Sequence, residues 1–227
     1  MKKHTVDTFA GELDTMFDTL CRLAAGAVRL LDRSVEALAA RDAALCRAVI
    51  DEDVDLDALH HRILEAEQSI LSRRQPVGVD LRQVVAMARM ARDWERIGDH
   101  AKGIARVGLG TLEDPELPGI DSIRKLHRIA AAALSAVLHA TETRDAERAR
   151  EVWRRDDRID EIYFGIFGAL LGEMQRDPAR VNAGARLLFV AKSLERCGDH
   201  ATNIAEDVVY WRTGELIEIP HPRVEET

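Results

Sequence analysis

One seven-residue segment is written twice, and that repeat constrains the fold more than any other feature. Glu95-Arg96-Ile97-Gly98-Asp99-His100-Ala101 returns as Glu195-Arg196-Cys197-Gly198-Asp199-His200-Ala201, 100 residues later in a chain of 227. Helical proteins share biased composition, but that bias does not reproduce a glycine, a histidine and two acids in order at equivalent places. A second match joins Ile50-Asp51-Glu52-Asp53-Val54-Asp55 to Arg155-Asp156-Asp157-Arg158-Ile159-Asp160 at an offset of 105. On this pairing the second half has a connection five residues shorter. Conserved order at two offsets predicts a duplicated unit.

The unit reads as three helices. Phe9, Leu13, Met16, Leu20, Leu23, Ala27 and Leu30 recur at four-three spacing, which predicts a helix over 7–40. A second helix runs from Arg41 to Gln75-Pro76, weakest over the crowded acids Asp51 to Asp57. Asp80 is the expected cap of a third, which fades near Gly108-Leu109-Gly110. The stretch TLEDPELPGID then marks the boundary between halves. Helices over about 120–140, 143–175 and onward to Thr213-Gly214 repeat the pattern, with a break at Asp177-Pro178. The expected fold is all-α: two tandem three-helix bundles from an internal duplication, over 1–112 and 113–214, with a tail at 215–227. Composition agrees, with 46% hydrophobic residues, 32% charged and only 4% aromatic, as suits long helices clothed in charge.

The repeat brings carboxylates with it. Asp51/Asp55, Glu95/Asp99, Asp156/Asp160 and Glu195/Asp199 are each spaced four apart, so each pair shares one helix face. Like charges at that spacing destabilise a helix unless a cation compensates. Any single pair is read most simply as surface acids laced to Arg92, Arg96, Arg155, Arg158 or Arg196. Four pairs at matched positions favour metal binding, with Glu206 continuing the line of Glu195 and Asp199. Oxygen-only ligands suit a hard divalent or trivalent ion: iron, manganese, magnesium or calcium, with zinc a weaker alternative. The first half has Lys102 and Arg106 where the second has Thr202 and Glu206, so equal occupancy is not implied. Gly98 and Gly198 each cost their helix about 1 kcal/mol relative to alanine, a cost that close approach of a neighbouring helix offsets. His100 and His200 point about 100° away from the aspartates before them and read as exposed or interfacial. Trp94 and Trp211 read as packing or interface residues, and Cys197 as a small buried one.

Other chemistries find little footing. No phosphate-binding glycine loop, HExxH, GxSxG or zinc-type Cys/His spacing occurs. The Glu-x-x-His pattern of di-iron oxidases is missing from both copies. A formal net charge of -8 argues against sequence-independent nucleic-acid binding. Three cysteines without a CxxC fit a reducing compartment. No apolar run is long enough to span a bilayer, so membrane association would go through partners. A metal-dependent enzyme using the clustered acids, and a metal-free helical scaffold, both remain as alternatives.

The doubled motif, with Arg74-Gln75-Pro76 and Asp80-Leu81-Arg82 before its first copy and Thr202-Asn203-Ile204-Ala205-Glu206 after its second, resembles the PhoU phosphate-uptake regulators. The resemblance reaches from the first helix to about Gly214. It implies two three-helix bundles side by side, and E(D)xxxD metal motifs that hold multinuclear iron in some members. It also implies a cytoplasmic homodimer with no enzymatic reaction. Such a protein would restrain phosphate uptake and the starvation response by contacting the phosphate ABC transporter ATPase and a sensor histidine kinase. Asp93 against Ser193, Gly103 against Asn203 and Gln175-Arg176-Asp177-Pro178 in place of RRQP depart from strict repetition.

Overall fold

The computed structural model describes residues 2–114, 119–154 and 157–217. Its long elements are all helices: α1 (Lys2–Ala40), α2 (Ala43–Arg74), α3 (Gly78–Gly110), α4 (Ile120–Thr143), α5 (Ala146–Trp153), α6 (Asp157–Arg176) and α7 (Val181–Thr213). A 3₁₀ turn, Pro178–Arg180, precedes α7. Helices α1 to α3 form one bundle. In the second, α4 and α7 enclose α5 and α6, which together take the place that α2 has in the first. The duplicated three-helix architecture expected from sequence is present.

The apolar stripe of α1 lies inside, with Leu13, Met16, Leu20, Leu23, Ala27 and Leu30 all buried. Trp94 and Trp211 are sealed in the core, as is Cys197, whose thiol burial pushes far above its ordinary pKa. Each such large apolar side chain contributes roughly 1.5–3 kcal/mol by leaving water.

Helix starts repeat between the halves. Arg41 and Arg144 both adopt a left-handed conformation at φ 55°. Each is followed by an aspartate that caps the next helix: Asp42 accepts from the amides of Ala44 and Leu45, and Asp145 from those of Glu147 and Arg148. Asp80 does not cap α3. That helix begins at Gly78 after Val77, which makes no side-chain cap, and Asp80 lies in the first turn beside the positive helix end. The acid-rich part of α2 is helical without interruption. The interruption falls in the second half, where α5 ends at Trp153 and α6 starts at Asp157. No described helix is long and apolar enough to cross a membrane.

The bundles meet mainly through α3 against α7, with α1 against α4 beside them. Polar groups line this seam. His200 Nδ1 lies 2.8 Å from Asp93 Oδ1, and Arg89 Nε lies 3.0 Å from Asp207 Oδ1. Arg186 donates to the carbonyl of Gly110 and, at 3.0 Å, to Asp114.

Candidate metal centre

Glycine brings the acid-bearing helices together. A Cβ on Gly198 would stand 2.6 Å from Ile159 Cδ1, and a Cβ on Gly98 would stand 2.9 Å from Leu56 Cδ1. The missing side chains let α6 settle against α7 and α2 against α3, which is the close approach the sequence anticipates. The next residue along each facing helix is an aspartate, Asp160 after Ile159 and Asp57 after Leu56.

In the second bundle Asp160, Glu195 and Asp199 converge, with one carboxylate oxygen from each within 4.8 Å of the others. Two oxygens about that far apart can share a hard cation at metal–oxygen distances of roughly 2.0–2.6 Å. Glu195 is buried, while Asp160 and Asp199 open to solvent. Lys192 Nζ donates to Glu195 Oε1 at 2.5 Å from the preceding turn. The other oxygen, Oε2, is buried with no hydrogen-bond partner. An orphaned buried acceptor costs about 1–3 kcal/mol, more when charged, unless a positive group satisfies it. The donor set and this orphaned atom therefore fit an oxygen-ligated metal ion.

In the first bundle the α2 acids that face Glu95 are not the pair its spacing suggested. Asp51 and Asp55 are exposed. Two residues along an α-helix turn the side chain by about 200°, so both point away from the face that carries Asp53. The α2 acids that act on Glu95 are Asp57 and Asp53, which add to the effects of burial and of Asp99 in raising its pKa. Asp53 is only 2% exposed, and burial pushes its carboxyl upward against the opposing pull of Lys102. Lys102 Nζ donates to Asp53 Oδ2 at 2.5 Å. Arg96 stands 2.9 Å from Asp99 and 3.5 Å from Glu95.

Matched packing thus pairs the halves at an offset of 103, not 105, along the second helix, and their connections differ by three residues, not five. Leu56 stands to Gly98 as Ile159 stands to Gly198. Asp53/Asp57 correspond to Asp156/Asp160, although Asp156 lies outside the described residues. A sequence signal for this register exists in Arg41-Asp42-Ala43, which recurs as Arg144-Asp145-Ala146. Glu206 lies apart from the cluster and accepts a hydrogen bond from Trp153 Nε1 at 3.0 Å.

Space adjoins the second cluster. A cavity of about 350 Å³ is lined by Ile159, Gly198, Ala201 and Thr202, together with Arg128 and Arg158. The histidines of the motif sit in the seam between bundles, their ring centroids 5.7 Å apart. Burial, and then the proximity of His200, depresses the pKa of His100 to about 4.

Comparison with known proteins follows the same division of the chain. The profile of the PhoU domain matches residues 20–107 and 123–208. A phosphate-specific transport system accessory protein PhoU homolog of Caulobacter vibrioides is 39% identical over 226 residues, covering 99% of this chain and 98% of that one. The homolog in Rhizobium meliloti is 35% identical, covering 93% and 90%. The crystal structure of PhoU from Pseudomonas aeruginosa superposes with a TM-score of 0.88 at 31% identity, over 91% of this chain and 100% of that one. The phosphate transport system regulatory protein PhoU from Streptococcus pneumoniae gives 0.79 at 26% identity, over 93% and 100%.

Proposed function

The chain belongs to the PhoU family of regulatory, non-catalytic phosphate-transport accessory proteins, and from that premise we propose a metal-binding adaptor that restrains phosphate uptake and phosphate-starvation signalling. It acts as a cytoplasmic homodimer, by contact with the phosphate ABC transporter ATPase and the sensor histidine kinase of the phosphate two-component system. Its repeat units are 1–112 and 113–214.

The observations that carry the metal part are the convergence of Asp160, Glu195 and Asp199 and the orphaned Oε2 of Glu195. These residues would hold a hard cation, for which iron, manganese, magnesium and calcium are the candidates. A bound ion supplies positive charge that ties α6 to α7. The chain's own residues set how that charge is received: Gly198 fixes the separation of the two helices, and Lys192 holds one oxygen of Glu195. Contact with partners is supported by the exposed Phe164, Phe167 and Leu171 along α6, because apolar side chains grouped on a surface mark interaction sites more often than chance.

Two measurements test the reading. Protein purified without chelator should carry metal that Asp199→Ala removes. Pull-down against the ATPase and the kinase domain, at low and high phosphate, should recover at least one of them. Recovery of neither under any condition would overturn the adaptor role, and metal-free wild-type protein would overturn the metal site.

A further inference from the structure

The chain carries matching acids in both bundles, but among the described residues only Asp160, Glu195 and Asp199 of the second draw their oxygens together, while an acid of the first is paired with a cation from the chain itself. We infer that the Lys102 ammonium is the resident counter-cation of the first bundle, so that the chain loads metal at the second bundle only. The inference rests on the metal reading above for the second bundle, and its own subject is the first.

The correspondence is residue by residue. Glu95, Asp99 and Lys102 match Glu195, Asp199 and Thr202 across the doubled motif, and Asp57 matches Asp160 across the 103-residue offset. At the position that differs, chemistry differs. Lys102 Nζ reaches Asp53 Oδ2 at 2.5 Å, and that carboxylate is almost wholly out of water. Thr202 is too short to reach a facing helix, and its hydroxyl donates instead to the carbonyl of Gly198 at 3.3 Å.

The lysine in the second bundle is not an equivalent. Lys192 lies three residues before Glu195 on the same helix, with 43% of its side chain exposed, and leaves Glu195 Oε2 without a partner. Lys102 is only 23% exposed and lies against the acid that most needs a positive neighbour. Arg96 serves two further acids of the first bundle, Glu95 and Asp99.

A metal entering the first bundle must therefore displace an ammonium that is covalently part of the chain. The displaced group is a compact point charge that cannot move far, and it repels the incoming ion. Leaving Asp53 buried without that partner is the alternative, and burial of an unpaired charge is strongly disfavoured. Arg196 stands where Arg96 does, so the difference lies at one position, an ammonium at Lys102 and a hydroxyl at Thr202.

The test uses the full chain, stripped with chelator, reloaded with Mn²⁺ and freed of excess ion by gel filtration. Bound manganese per chain is measured by mass spectrometry. Wild type should lose its manganese at least tenfold with Asp199→Ala, and Asp99→Ala should match wild type. Lys102→Thr should raise bound manganese about twofold, with the added ion lost again on Asp99→Ala. Lys102→Gln, which keeps the length of the side chain better, replaces it if the threonine variant melts early. A wild type that loses half its manganese on Asp99→Ala overturns the inference, and so does a folded Lys102→Thr or Lys102→Gln protein that gains none. If wild type binds no manganese, the metal reading of the second bundle fails. An Asp99-dependent ion gained by Lys102→Thr would still support the role of the lysine.

Discussion

Asp93 on α3 and His200 on α7 meet across the seam of the two bundles, with Oδ1 2.8 Å from Nδ1. Asn203 Nδ2 reaches the same oxygen at 3.5 Å. The pseudo-equivalent pair would be Ser193 with His100, so this acid–histidine contact has no counterpart related by the repeat. The two halves are joined by a contact that duplication alone would not produce.

Removing that acid should loosen the seam. Asp93 is buried, and a histidine that loses a buried partner is left poorly satisfied, which costs about 1–3 kcal/mol. Asp93→Ala should lower the urea midpoint accordingly, and Asp93→Asn, which keeps an acceptor oxygen, should lower it less. Equal midpoints for Asp93→Ala and wild type would count against the seam as a stabilising contact.

Gly198→Ala should destabilise although alanine is the better helix former. The new methyl would stand 2.6 Å from Ile159 Cδ1 and 3.3 Å from its Cγ2. Overpacking costs about 1–3 kcal/mol, and the helix gains about 1 kcal/mol, so the net loss is on the order of 1 kcal/mol. Ile159→Val removes the nearer carbon and should recover part of the loss in the double variant. Thermal melts of the four proteins check the cycle.

A buried acid and a half-buried histidine give the pH profile opposite slopes. Burial, opposed by Arg89, pushes Asp207 up to about 7 from an ordinary value of 3.8. Its Oδ1 lies near Arg89 Nε but off the hydrogen-bonding direction, so the guanidinium compensates incompletely. The folded state then holds a proton that the unfolded chain releases, and stability falls as pH rises from about 4 to about 7. His100 works in reverse. Its folded pKa is about 4 against 6.5, so the unfolded chain takes up the extra proton and stability rises across that interval. Asp207→Asn should remove the decline and His100→Gln the rise. Urea midpoints between pH 4 and 8 measure both, and parallel profiles for the two variants would contradict these assignments.

Metal should stabilise through mass action if it binds the folded chain alone. At a free concentration one hundred times the dissociation constant the gain is about 2.7 kcal/mol. Mn²⁺ should therefore raise the melting temperature of wild type but not of Glu195→Gln, and chelator should reverse the shift. An equal shift in both proteins would place the ion elsewhere.

Much of this was legible in the sequence. The buried face of α1 follows its four-three stripe, and the doubled motif located Glu195, Asp199 and the two packing glycines. The register of the second helix was harder to read because Asp51, Asp53, Asp55 and Asp57 alternate with other residues. Both Val54-Asp55 and Leu56-Asp57 match the apolar–acid step Ile159-Asp160 in residue type. Burial separates them, since Val54 is 65% exposed and Leu56 5%. Only packing against a glycine decides which step faces inward. The partners of Lys102 and Glu206 depend on distances between helices, which periodicity does not encode.

Leu56 is held from both sides. One of its terminal carbons stands where a Cβ of Gly26 on α1 would press at 2.5 Å, and the other where one on Gly98 would press at 2.9 Å. A side chain gripped between two notches works like a key in a shaft. The middle rod cannot slide or roll past its neighbours by a fraction of a turn without lifting the tooth out of both slots. Force applied to any one rod of that bundle is consequently handed on as movement of the whole block, and bending is left to the seam where Asp93 meets His200.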